Sequence, residues 1–338
     1  MISSRVMRFT FLLSALSVII PLHGNATTIK IATTAPDGTA LMVELREAAK
    51  VVEERTDGSV KFKFYTGGVM GDDFTVKRKI RARQLHGGIV QTSVYTNDLP
   101  NLNLYSLPML FQSHEEVTEV RSKLDSVLMK ELEESGEVPI GFSAVGFAYA
   151  MGTKQLDTIQ QIRRSKVWTP QGDPIAKQNL RVFGITPIPL PVGDVLTGLQ
   201  TGLINTIASP PVAAIALQWH TQVKYVLDIP LQYVYTIYSI DQRMFNRLSE
   251  SHQQVVLSEM NNALTRAEKQ LIEEHDEALE VMLEEGVELI TPDADALAEW
   301  QKLSQDAISE WLENDQVDQE SYELLEDALE QFRNEHSQ

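Results

Sequence analysis

The chain has 338 residues, 43% of them hydrophobic and 22% charged, enough for one large or two ordinary soluble domains with a sizeable core. Its formal net charge of −18 argues against nucleic acid or an anionic membrane surface as a partner. The absence of cysteine excludes disulfides, thiolate nucleophiles and Cys-ligated metals.

At the N-terminus, Arg5 and Arg8 make a basic region and residues 9–20 an apolar run too short to span a membrane. Gly24-Asn25-Ala26 then supplies small residues, the pattern of a secretory signal peptide (residues 1–26) cleaved after Ala26. No cysteine follows, so a soluble mature chain from Thr27, exported to the periplasm, is expected.

Thr28–Ala32 alternates with period two and predicts the first strand. The loop at its carboxyl end, with Thr34, Pro36 and Asp37, is either a wall of a ligand site or a plain turn. A helix over Ala40–Glu54 carries the apolar stripe Leu41, Leu45, Ala48 and Val52. Val60–Phe64 is an alternating strand, followed by a glycine-rich loop that holds Gly68 and Met70. A helix spans Asp73–Gln84, ended by Gly87-Gly88, and Ile89–Val94 is the next strand. Its polar end, Gln91, Thr92 and Ser93, with Tyr95 beyond, can hydrogen-bond a ligand or satisfy loop backbone.

Ser113 with Glu116 is a capping box opening a helix to about Glu134. Val138–Ala150, carrying Phe147 and Tyr149, reads as a long strand crossing from a first lobe to a second. In the stretch 156–211, a short helix (Ile159–Ile162) precedes a strand, Lys166–Thr169, that Pro170 ends. Gln171 follows, and Asp173 with Pro174 behind it is a strong helix start. That helix stops at Gly184. An extended run (Thr186–Leu190), a helix capped by Asp194 and ended by Gly202, and a strand, Leu203–Ile207, complete the stretch. Strands alternating with helices at this spacing imply parallel pairing through right-handed crossovers.

Pro210 and Pro211 start a helix to about His220, and Tyr225–Leu231 and Tyr233–Ile240 are strand-like. From Ser251, with Gln254 completing a capping box, no Pro or Gly appears until Gly286. One helix of that length is about 50 Å long, wider than a single lobe; two helices joined at a kink are the alternative. A last strand, Val287–Ile290, precedes a helix capped by Asp293 with Leu297, Trp300, Leu303, Ile308 and Trp311 on its inner face, and an acidic helix from about Gln319.

No dinucleotide-binding glycine motif, P-loop, HExxH, GxSxG or EF-hand loop occurs, and the seven histidines lack metal-ligand spacing. No catalytic residue, metal or cofactor is expected. His220 beside Trp219 reads as a helix-end cap rather than a base, and Asp72-Asp73 as a helix start.

Residues 156–170, 184–191 and 193–205, the last containing Leu199-Gln200-Thr201-Gly202, resemble the middle of the substrate-binding proteins of TRAP (tripartite ATP-independent periplasmic) transporters, dicarboxylate-receptor branch. The glycine loop 67–71 and Pro108–Phe111 match further segments of that family. The resemblance implies an α/β, two-lobed, periplasmic-binding-protein-like fold with an interlobe cleft and a long lobe-spanning helix. It implies lobe I at 27–150 plus about 236–265, and lobe II at 151–235 plus about 266–338. It also implies a small-molecule ligand passed to TRAP membrane permease subunits. A receptor for an ABC transporter, a sensor domain and an exported enzyme on a related scaffold are the competing readings.

Three positions depart from the family pattern. Trp168 stands where the family has the arginine that pairs with a ligand carboxylate, Ala148 where a second arginine is common, and Asn205 where Asp is usual. An indole offers one N–H donor and a broad apolar face, so it cannot replace a bidentate guanidinium. Trp168 is therefore expected to line the cleft and stack on a solute less dependent on a carboxylate, with Tyr95, Phe147 and Tyr149 nearby. Pro170, Gln171, Asn205 and Pro210 are candidate neighbours in the wall. The alternative is that Lys154, Lys166 or backbone amides hold a carboxylate instead.

Overall fold

A computed structural model describes residues 26–336. The signal-peptide reading falls on residues 1–25, outside that range. The elements in order are β1 (Thr27–Thr33), α1 (Ala40–Arg55), β2 (Val60–Tyr65), α2 (Asp73–Arg81), β3 (Gly87–Gln91), α3 (His114–Glu134) and β4 (Glu137–Gly152). Then come α4 (Ile159–Arg163), β5 (Trp168–Pro170), α5 (Pro174–Val182), β6 (Ile188–Leu190), α6 (Val195–Thr201), β7 (Thr206–Ser209) and α7 (Pro211–Ala216). The chain continues through β8 (Tyr225–Leu227), β9 (Gln232–Asp241), α8 (Gln242–Phe245), α9 (Glu250–Glu284), β10 (Glu288–Ile290), α10 (Ala294–Glu313) and α11 (Gln319–His336).

The architecture is two-lobed α/β. The strand order is β10-β8-β4-β9-β3-β1-β2, with β7 also on β4, and β5 and β6 form a small parallel sheet. β1 pairs in parallel with β2 and β3, whereas β9 is antiparallel to both β3 and β4. β4 joins the halves. Residues 137–148 pair with β9, and from Tyr149 onward the strand pairs with β7 and β8. Its register shifts between Ala144 and Gly146, where Gly146 takes φ +108°. A bulge with a glycine in that region bends a strand at little steric cost, which lets one strand serve two differently oriented sheets.

The second connection is α9, a single uninterrupted helix about 50 Å long. Its first half buries Val256, Met260, Ala263 and Leu264 against β1, α1 and Tyr238, and near its far end Met282 joins Trp168, Trp219 and Val226. No Gly or Pro interrupts it, so nothing forces a kink. It begins two residues earlier than the capping-box reading: Ser249 is the N-cap and accepts from the His252 amide.

The central stretch departs from the expected parallel pattern. β5 and β6 are parallel and Val167 bridges Thr206 in parallel, but β7 runs antiparallel to β4. Pro170 ends β5, Pro191 follows β6 and Pro210 follows β7, which keeps these strands to three or four residues, too short for full crossover units. The terminal helix also goes elsewhere than expected. α11, assigned with lobe II, packs on α3 of the first lobe, where Tyr322, Leu325 and Leu329 share a core with Val117, Val120 and Leu124. The Arg333 Nε donates to Glu116 Oε1 of α3 at 2.7 Å. Amphipathic periodicity names the buried face of a helix and not its partner, so the sequence was silent on this docking.

Candidate functional site

A cavity of about 780 Å³ lies where the two lobes meet, a size suited to a small organic ligand. The first lobe contributes the loop after β1, with Thr34, Pro36 and Asp37, and the ends of β3, β4 and β9. The second contributes Val167–Pro170, Asp173, the run Thr206–Pro210 and α7, and α9 passes along one side. The β-strand ends face it, as open α/β sheets present their ligand sites.

Trp168 is placed by β5, paired to β6 through Ile188. Its indole N–H donates to the Leu190 carbonyl at 3.0 Å, and its ring meets Trp219 edge to face with centroids 5.2 Å apart. The donor being committed to the backbone, Trp168 presents only its ring surface to the cavity. Thr169, beside it and 3% exposed, has a hydroxyl with no hydrogen-bond partner.

The charges around the cavity are one-sided. None of the described lining residues is Lys, Arg or His, while Asp37, Asp173, Glu274 and Glu277 line it. Lys166 is exposed and reaches back to the Gly202 carbonyl at 2.6 Å, and the Arg163 Nε donates to the Phe183 carbonyl. The four carboxylates are largely committed. Asp37 pairs with Arg46 at 2.5 Å, whose hydrogen bond holds its pKa below the usual carboxylate value. Asp173 caps α5 by accepting from the Ile175 and Ala176 amides, and accepts from the Ser93 hydroxyl. Burial nonetheless raises its pKa. Glu274 accepts from Gln270, and Glu277 is exposed.

Behind this wall Asp73 is buried at the start of α2, where burial pushes its pKa to about 6. One oxygen accepts from the Gln91 amide at 3.0 Å, and the other has no hydrogen-bond partner.

Of the residues singled out in the sequence, Thr34, Pro36, Asp37, Gln91, Trp168, Pro170 and Pro210 line the cavity together. The others are placed elsewhere. Gly68 and Met70 shape the turn before α2: the Gly68 amide donates to Thr33, and the Met70 carbonyl accepts from Lys79. Thr92 and Tyr95 sit in a 3-10 turn after β3, which swings the Tyr95 hydroxyl to Glu137, away from the cavity. Phe147 packs edge to face on Tyr233, and Tyr149 lies against His275. Gln171 is exposed, and Asn205 clips β7 to Lys166 by accepting from its amide at 2.7 Å. His220 caps the end of α7 through the Ala214 carbonyl. The sequence does not mark Ser143, Thr169, Thr236 or Trp219 as cavity-lining; strand alternation marks faces but not which one meets the second lobe.

Two lobes joined by crossing segments around a cavity, with polar groups at strand ends, define a solute-binding receptor fold. The profile of the bacterial extracellular solute-binding protein family 7 (DctP) matches residues 31–315, and the chain belongs to that family. Among curated relatives it is 24% identical over 244 residues to the 2,3-diketo-L-gulonate-binding periplasmic protein of Escherichia coli (strain K12), covering 71% of this chain and 74% of the relative. Its fold matches a Bordetella pertussis extracytoplasmic solute receptor binding pyroglutamic acid, with TM-score 0.82 and 20% identity over 90% of this chain and 100% of that one. It also matches a TRAP periplasmic solute binding protein from Desulfovibrio salexigens with bound orotic acid, with TM-score 0.81 and 19% identity over 90% and 99% of the two chains.

Proposed function

We propose that this protein is the exported receptor of a TRAP transporter, capturing one small organic solute between its lobes and delivering it, unaltered, to membrane permease subunits. Family membership and the roles of the neighbouring receptors support the receptor part. The sequence of residues 1–26 supports export with cleavage after Ala26. The packing supports lobe I as 27–150 with about 236–265 and lobe II as 151–235 with about 266–313, except that β9 from Gln232 and α11 pack with lobe I.

The ligand reading rests on one observation: Trp168 stands in a wall where no described lining residue is Lys, Arg or His. A buried carboxylate without a cationic partner carries a desolvation cost of several kcal/mol. The solute is thus one that does not depend on a carboxylate, unlike pyroglutamate and orotate in the neighbouring receptors. A thermal-shift screen of organic acids against neutral and aromatic solutes tests this. Tight binding of succinate or sialate that survives Trp168→Ala would count against it.

A further inference from the structure

The cavity's first-lobe wall carries a feature that narrows the solute class. Register pairs Gln91 of β3 with Thr236 of β9, and Thr236 with Ser143 of β4. Directly paired residues in a sheet project to the same face, so three strands place three neutral polar side chains in one row. All three line the cavity. The Thr236 hydroxyl donates to the Ser143 carbonyl at 3.2 Å, which fixes its rotamer. The Gln91 side-chain carboxamide and the Ser143 hydroxyl form no hydrogen bond within the described residues, although Ser143 is only 3% exposed. Thr169 adds its unpartnered hydroxyl from the second lobe. Buried polar groups are normally satisfied, and those left open inside a cavity mark where a ligand's polar atoms go.

We propose that Gln91, Thr236 and Ser143 read the uncharged polar edge of a cyclic solute, amide or hydroxyl in kind, whose ring face lies on the Trp168 indole. This rests on the receptor reading above and specifies its ligand. Gln91 supplies a donor pair and an acceptor, the Ser143 hydroxyl one of each, and the Thr236 hydroxyl, its proton given to the Ser143 carbonyl, an acceptor, so the row matches a mixed edge of C=O and N–H or O–H groups. The lining carboxylates do not redirect the site toward a cation: Asp37 is paired with Arg46, Asp173 already accepts three hydrogen bonds, Glu274 accepts from Gln270, and Glu277 is exposed to solvent. An anionic edge would face the Asp173 carboxylate with no Lys, Arg or His among the described lining residues to offset it.

The test uses matched pairs that differ by a carboxylate: 2-pyrrolidinone with pyroglutamate, uracil with orotate, and glucose with glucuronate. Isothermal titration on the purified mature protein, unfolded and refolded to strip carried-over solute, gives both affinities of each pair. The proposal expects the neutral member of at least one pair to bind ten-fold or more tightly than its acid. Gln91→Ala and Ser143→Ala should each weaken that binding by about ten-fold, the loss of one or two hydrogen bonds. Their unliganded melting temperatures should match wild type, because neither side chain bonds within the fold. An acid binding more tightly than its neutral partner overturns the proposal and leaves the receptor reading standing. Neutral binding unaffected by both substitutions overturns the role of the row. No saturable binding by any member overturns it too, and a native mass spectrum showing no solute on freshly purified protein would then remove the receptor reading as well.

Discussion

The hydroxyl of Ser93 donates to Asp173 Oδ2 at 3.0 Å, joining the 3-10 turn after β3 in the first lobe to the N-cap of α5 in the second. Both residues are buried, and Gly172 next to Asp173 comes against Phe74 of α2. This contact acts as a latch between halves that also connect through β4, β9, α9 and the α10–α11 link, and through the Ser304 hydroxyl, which donates to the Pro108 carbonyl. Ser93→Ala leaves a buried carboxylate oxygen without its partner, at a cost of about 1–3 kcal/mol. The variant should favour a more open arrangement. Small-angle scattering should show a larger radius of gyration than wild type without solute, converging when solute is saturating; identical curves would show that the latch carries no weight.

Trp168→Phe keeps an aromatic ring in the wall but removes the N–H bond to Leu190 and part of the contact with Trp219. A loss of about 1–2 kcal/mol in urea unfolding is expected. The protein has four tryptophans, of which Trp168, Trp219 and Trp300 line the cavity and Trp311 does not. Solute binding should therefore perturb indole fluorescence, and the Phe variant should lose a large share of that change. An undiminished signal would place the solute away from Trp168.

His275 sits on α9 against β4, 3% exposed, with neither ring nitrogen hydrogen-bonded. His114 of α3, Phe147 and Tyr149 surround the ring, and Asp276 beside it on α9 pulls its pKa the other way. Burial, and then His114, lower its pKa from 6.5 to about 4. As pH falls below 6.5 the unfolded chain takes up a proton that the folded chain refuses until about 4. The stability associated with neutral His275 is thus complete above pH 6.5 and is lost progressively toward pH 4, by at most about 3 kcal/mol. Urea unfolding at pH 7.5 and pH 5 should show a steeper loss for wild type than for His275→Leu. Parallel losses would assign the acid sensitivity elsewhere.

Gly146 marks the bend in β4. Its φ of +108° disfavours any side chain, and an added Cβ would come 2.9 Å from His275 Nδ1. Gly146→Ala should cost more than about 1 kcal/mol through strain alone. Because the residue lies at the register shift just before β4 passes from β9 to β7 at Tyr149, solute affinity should fall with it. A variant as stable as wild type would mean that the bend relaxes freely.

Much of the scaffold was legible before any coordinates. Asp72, Ser113, Asp173 and Asp293 accept amide hydrogen bonds at the helix starts, as short polar side chains at those positions should. Gly202 ends α6 in the left-handed region, and the long Pro- and Gly-free run is one helix. These features depend on residues within a few positions of each other, so a linear reading suffices. The substitution of an indole for a guanidinium at position 168 was visible for the same reason.

What the chain alone left undecided are relations between distant segments. That Gln91, Ser143 and Thr236 stand in one row depends on the register of β3, β9 and β4, and a slip of one residue would turn each side chain to the opposite face. That Tyr95 turns toward Glu137, that α11 docks on α3, and that Ser93 meets Asp173 are likewise products of packing. Local propensity specifies a backbone and a buried face, whereas the identity of the surface that covers the face is settled only when the whole chain minimises its exposed apolar area and unsatisfied polar groups together.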